Sequence, residues 1–213
     1  TADGDLVGRV DDKSGNGNHL IQSNSSLRPT YKNVAGRSYF DFDGSKYMIC
    51  STVSFADALE SFSCVCAGRP TTSGVNRACS FGATSGAGGE QIGLTFLDDG
   101  AAYLYNNGNA RYDIAYTAPS DPYVLVWGRD SGTNYGQSGD VRKDGVTLTQ
   151  TSATNPSNDT SSMVTSEILL ATGRNTSGVV AGGFSGEIFG LILVSPRCSS
   201  TEISDTEAWL SGK

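Results

Sequence analysis

The chain has 213 residues, with 27 Gly, 28 Ser, 19 Thr and 12 Asn against only 15 Lys plus Arg. So few strong helix formers exclude a helical bundle or coiled coil, and 9% aromatics grouped with Val and Ile in short clusters exclude disorder. A net charge of −7 without any basic stripe excludes nucleic acid as a partner, and no apolar run approaches the roughly 18 residues of a membrane helix.

What these exclusions leave is one all-β domain spanning 1–213, rich in turns and long enough to bury a core. The N-terminal segment Leu6 to Val10 leads into a turn, Asp11 to Asn18, whose glycines and short polar residues supply positive φ and Asx-type hydrogen bonds. His19 to Ile21 follows, then strands at Tyr39 to Asp43 and Tyr47 to Cys50, separated by the Gly44-Ser45 turn. A short helix is predicted over Ser54 to Leu59. Further strands are predicted at Phe62 to Ala67, Arg77 to Phe81, Gln91 to Leu97, Ala101 to Tyr105, Tyr112 to Thr117 and Tyr123 to Arg129.

Asp140 to Lys143 and Val146 to Gln150 flank Asp144-Gly145, the strongest hairpin signal in the chain. Glu167 to Gly173 and Gly186 to Val194 close the series. Evenly spaced short strands of this kind predict a two-sheet antiparallel β-sandwich. Only the end reads as helix: Ser199-Ser200-Thr201-Glu202 fits a capping box, Ile203, Thr206, Glu207 and Leu210 share a face, and Gly212 is the stop.

Five cysteines, Cys50, Cys64, Cys66, Cys79 and Cys198, give an odd count with no C-x-x-C pair. Cys64 and Cys66 share one strand face, and buried free thiols are expected, with folding in a reducing cytoplasm before assembly. The chain opens at Thr1 without a signal peptide and is expected to be processed or cut from a larger protein. Sequons at Asn24, Asn158 and Asn175 matter only in a eukaryotic secretory pathway.

Both ends carry a family resemblance. The run Asp12-Lys13-Ser14-Gly15-Asn16-Gly17-Asn18-His19, then Arg28-Pro29-Thr30 and Phe40-Asp41-Phe42-Asp43-Gly44-Ser45, resembles the laminin-G-like branch of concanavalin A-like lectin/glucanase domains. Phe184-Ser185-Gly186-Glu187-Ile188, the strand to Val194 and the closing Ala208-Trp209-Leu210 are similar to the same branch. The resemblance implies a jelly roll with a short C-terminal helix, of the kind found in bacteriophage tail or capsid-decorating proteins and bacterial surface proteins. Ligands would then sit on a concave sheet or on rim loops. The family's glucanases carry Glu-x-Asp-x-x-Glu on one strand; no such run exists here. The lyase pattern of Arg, Gln-x-His and Tyr-rich strands is missing too.

Candidate sites follow from residue chemistry. Asp12, Ser14, Asn16 and Gly17 match four positions of a calcium loop, but Ser23 stands where a bidentate carboxylate belongs. A self-hydrogen-bonded turn competes with calcium there, and no other cofactor is expected. His19, the only histidine, is expected to make a structural hydrogen bond. Asp41 with Asp43 and Asp98-Asp99-Gly100 read first as turns and only second as acid–base pairs. Glu167 and Glu187 are expected to face solvent or sit in salt bridges, and Arg174 to Gly178 is a polar rim loop.

The strongest functional signal is the central stretch Tyr103, Tyr105, Asn107, Arg111, Tyr112, Trp127, Arg129 and Tyr135. Aromatic faces stack on sugars, and amide or guanidinium groups pair with adjacent hydroxyls. Some of these aromatics must instead fill the core. The expected function is non-enzymatic recognition of a host cell-surface glycan or receptor by a phage virion or bacterial surface protein. Homo-oligomers or other virion proteins are further expected partners, at the virion surface or outside the cell. A glycoside hydrolase or polysaccharide lyase with dispersed carboxylates, and a purely structural virion module, are the rival readings.

Overall fold

The computed structural model describes residues 1–53, 61–72, 76–82, 91–96, 101–106, 110–115, 120–130, 141–154, 167–174, 179–181 and 183–212. The first strands are β1 (Arg9–Val10), β2 (Leu20–Ile21), β3 (Thr30–Val34), β4 (Arg37–Asp43), β5 (Met48–Cys50) and β6 (Phe62–Pro70). Then come β7 (Asn76–Gly82), β8 (Gln91–Phe96), β9 (Ala101–Asn106), β10 (Ala110–Ala115), β11 (Tyr123–Arg129) and β12 (Val141–Lys143). The last are β13 (Val146–Thr147), β14 (Gln150–Thr154), β15 (Glu167–Leu170), β16 (Gly173–Arg174), β17 (Val180–Ala181) and β18 (Ser185–Val194), followed by helix α1 (Ser200–Ser211).

Two large antiparallel sheets form the sandwich, as expected. One has nine strands in the order β1-β2-β5-β15-β7-β8-β9-β10-β14, the other seven in the order β13-β12-β11-β6-β18-β4-β3. Between them, Phe62, Cys64 and Cys66 of β6 and Tyr123, Leu125 and Trp127 of β11 meet Cys79, Phe81, Leu94, Phe96, Ile168 and Leu170 from the opposite sheet. The Phe62 ring stands edge-on to Trp127 at 4.7 Å and to Phe81 at 5.2 Å, the offset that aromatic quadrupoles favour.

The alternate residues of the same strands are also buried. Val65, Ala67, Val124 and Val126 lie beneath Ile203 and Leu210 of α1, so β6 and β11 are apolar on both faces. The predicted capping box closes this helix: Glu202 N donates to Ser199 Oγ (3.3 Å) and Ser199 N to Glu202 Oε2 (2.8 Å). Glu207, buried on the helix, accepts from Gly145 N (3.1 Å) and lies 2.8 Å from Arg142 Nη2, tying α1 to the β12–β13 turn. That turn is the predicted Asp144-Gly145 pair, with φ of 48° and 82°.

Several boundaries differ from the sequence expectation. Val146 to Gln150 reads as one strand but splits: β13 pairs with β12 in the seven-stranded sheet, and β14 pairs with β10 in the nine-stranded one. Glu167 to Gly173 likewise breaks after Leu170, where Ala171 takes a positive φ of 65°. β10 begins at Ala110 rather than Tyr112, and β3 was not expected at all. The predicted helix Ser54 to Leu59 lies outside the described residues. Among the described residues, no helix is long and apolar enough to cross a membrane.

Candidate functional site

Ile168 and Leu170 of β15 face the core, so the two-residue period places Glu167 and Leu169 on the outer face of the nine-stranded sheet. The kink at Ala171 turns the chain back over that face. It is pinned there by hydrogen bonds from Ala171 N to Ala78 O (2.6 Å) and from Phe184 N to Ala171 O (2.8 Å). The β16–β17 hairpin follows, with β16 packed against β7 and β8.

An ion pair fastens this hairpin. Arg174 Nε and Nη2 donate to Glu167 Oε1 (2.5 Å) and Oε2 (2.8 Å), and the Glu167 side chain has no accessible surface. A fully buried carboxylate is costly to desolvate, and a two-pronged guanidinium is the partner best able to offset that cost. The hydrogen bond to Glu167 holds the Arg174 guanidinium above its usual pKa, against the opposing effect of burial. The sequence expectation of a salt bridge for Glu167 holds; that of solvent exposure does not.

Beside the pair, Ser80 Oγ donates to Thr172 O (2.9 Å). Arg77 stands opposite Thr95 in the β7–β8 ladder, and its Nη1 donates to Arg174 O (3.5 Å). The Arg77 side chain packs directly over Gly173: a Cβ there would lie 2.0 Å from Arg77 Nη1 and would displace the guanidinium. Thr95 is fully buried, and among the described residues its hydroxyl has no hydrogen-bond partner. Sequence reasoning did not single out Arg77, Ser80 or Thr95, because no motif marks them. The one legible signal was a charged residue, Glu167, heading an apolar run with Arg174 seven residues on.

The central stretch predicted from sequence is divided by the fold. β9 and β10 extend the nine-stranded sheet beyond β8, with Leu94 opposite Leu104 and Leu104 opposite Tyr112. Leu94 is a core residue, so Tyr112 occupies a core-side register position. Tyr103 (opposite Asp113) and Tyr105 (opposite Arg111) fall on the other face, the one carrying Thr95, Arg77 and Glu167. Three of the eight expected residues are thus brought together.

Trp127 must be corrected. It belongs to the seven-stranded sheet, has no accessible surface and fills the core against Phe62, because its register alternates with the valines that face α1. Arg129 ends the same strand opposite Phe62, in the other sheet from the tyrosines. Asn107 and Tyr135 lie outside the described residues.

The first turn bonds to itself. Asp12 Oδ1 accepts from Ser14 N (2.8 Å), and Oδ2 accepts from Ser14 Oγ (2.8 Å) and Asn18 N (2.9 Å). These bonds, led by that from the Ser14 backbone, hold the Asp12 carboxyl below its usual pKa. His19 Nδ1 accepts from Asp12 N (3.1 Å), the structural bond expected of it. Among the described residues, no three His, Cys, Asp or Glu side chains are grouped to hold a metal ion.

Asp43 Oδ1 accepts from Ser45 N (3.0 Å) and Ser45 Oγ (2.7 Å), the turn expected there. Asp41 instead stands opposite Glu187 in the β4–β18 ladder, and Glu187 pairs with Arg69 at 2.5 Å. Burial, and secondarily the Glu187 charge, push the Asp41 carboxyl above its usual pKa. Asp98 and Asp99 lie outside the described residues.

No protein-family model matches the chain, and no curated protein matches its sequence. Likeness is found among solved structures. Domain 4 of AbnA, a GH43 extracellular arabinanase from Geobacillus stearothermophilus solved with arabinotriose, is 14% identical, with a TM-score of 0.66 over 97% of this chain and all of that one. A GH54 α-L-arabinofuranosidase is 15% identical, with a TM-score of 0.62 over 96% of this chain but only half of its own. The CBM40 of the Ruminococcus gnavus IT-sialidase, bound to α2,3-sialyllactose, is 14% identical, with a TM-score of 0.56 over 70% of this chain and 84% of that one. At these identities the shared property is the β-sandwich fold.

Proposed function

We propose that this chain is a glycan-recognition domain that takes its sugar on the outer face of the nine-stranded sheet, beside the β16–β17 hairpin. The observation that carries this reading is the register: Tyr103, Tyr105 and Arg111 occupy the sheet face that also carries Arg77. Sugar rings stack their C–H faces on aromatics, while guanidinium groups donate to ring hydroxyls, and this face holds both kinds of residue. The Glu167–Arg174 pair fixes the hairpin and so supplies one rigid wall.

The fold neighbours support the reading, since the arabinanase domain and the sialidase module were solved with arabinotriose and sialyllactose. A phage virion or bacterial surface setting is the finer part of the same proposal and rests on the terminal motifs. The test is a glycan array followed by titration calorimetry, with arabinotriose and sialyllactose among the probes. Binding that weakens at least tenfold in Tyr105→Ala and Arg111→Ala supports the proposal. A blank array, or binding untouched by both substitutions, overturns it.

A further inference from the structure

β6 and β7 belong to opposite sheets, and sulfur bridges the gap between them. Cys64 Sγ on β6 and Cys79 Sγ on β7 lie 3.6 Å apart, and neither residue has accessible surface. The other thiols are placed differently. Cys66 shares the face of Cys64 two residues along, Cys50 Sγ donates to Thr52 O, and Cys198 lies on the far side of β6 among the residues under α1. A disulfide needs its sulfurs about 2.05 Å apart, so this pair has to close by about 1.5 Å.

We propose that Cys64 and Cys79 are a redox modification site, joined as an inter-sheet disulfide when the domain folds in the presence of a small-molecule disulfide oxidant. The reduced core shown by the structure is then the dithiol form. In the opening chain, one cysteine thiolate attacks a sulfur of the oxidant, forming a mixed disulfide and expelling one small thiolate. The second cysteine thiolate attacks the bound protein sulfur and expels the other. Two protein thiols lose two electrons and two protons, and one oxidant molecule becomes two thiols.

The closed core resists this step. Neither Cys64 nor Cys79 has accessible surface, so a soluble oxidant reaches neither sulfur once the domain is folded, and the hydrogen bond with Cys79 together with burial raises the Cys64 thiol pKa. The bond therefore records the redox state in which the chain folded. It would join the two layers two residues from Arg77, fixing the strand that carries the proposed glycan face.

The test refolds the full chain in a glutathione redox buffer, then counts thiols under denaturing conditions and maps linked peptides by mass spectrometry. The expected result is a fall from five thiols to three, a mass lower by two hydrogens, and a peptide joining Cys64 to Cys79. Cys66→Ala should keep the link and Cys79→Ala should lose it. The oxidised form should also unfold on the order of 5–10 °C higher than the reduced form. Retention of five thiols, a link between any other pair, or an oxidised form that unfolds at the same or a lower temperature overturns the proposal.

Discussion

Replacing Arg174 with alanine tests how the hairpin is held. The substitution removes both guanidinium hydrogen bonds from a Glu167 carboxylate that has no accessible surface. Breaking a buried ion pair from one side costs about 3–5 kcal/mol, and the lower end applies because the Arg174 side chain keeps 20% of its accessibility. A loss of about 3 kcal/mol in a chain of 213 residues lowers Tm by roughly 6–12 °C. The buried Trp127 makes tryptophan fluorescence a usable reporter of urea or thermal unfolding. Adding Glu167→Gln to the same chain removes the stranded charge and should recover about half of the lost stability. An Arg174→Ala protein within about 0.5 kcal/mol of wild type, or a double variant less stable than the single one, refutes the reasoning.

Three further outcomes follow from the same geometry. Thr95→Val replaces a buried hydroxyl with a methyl group; it should stabilise the fold by up to about 1 kcal/mol and leave glycan binding unchanged, read by urea unfolding and calorimetry. Ser199→Ala removes the helix cap and should cost about 1 kcal/mol in urea unfolding; no change would mean that packing of Ile203 and Leu210 alone holds the helix. Because the folded Asp41 carboxyl titrates above its unfolded value near 3.8, the native state binds the extra proton, and the Asp41 contribution to stability falls as pH rises from about 3.8 through the raised value. Asp41→Asn should therefore gain in Tm relative to wild type as pH is raised across that window, and a difference independent of pH would contradict the assignment.

Much of the sandwich was legible because local chemistry and global fold agree. The Tyr123 to Arg129 strand, the Asp144-Gly145 hairpin and the Ser199–Glu202 capping box form where the residues predict. What could not be read was which sheet a strand joins. The period-two pattern of Val146 to Gln150 is identical whether the chain stays in one sheet or crosses to the other, and it crosses. The same ambiguity misplaced Trp127: an aromatic flanked by Val126 and Gly128 gives no sign that both faces of its strand are covered, one by the opposite sheet and one by α1.

The site was legible in part for a related reason. Tyr103, Tyr105 and Arg111 lie close in sequence and on neighbouring strands, so a local reading could group them. Glu167 joins them only through the β15–β7 ladder, between strands distant in the chain, which no short motif encodes. The Ala171 turn that brings Arg174 back over Glu167 is equally silent, since alanine carries no signal for a positive φ.

The central claim is that a sugar binds the outer face of the nine-stranded sheet. Its most direct test is amide chemical-shift mapping by NMR as the best glycan from the array is added. The account predicts shifts concentrated on β7, β8, β9 and β10 and on the β16–β17 hairpin, with β3, β4 and α1 unmoved. Shifts centred on Asp41 and Glu187 of the seven-stranded sheet, or none at saturating sugar, would contradict it.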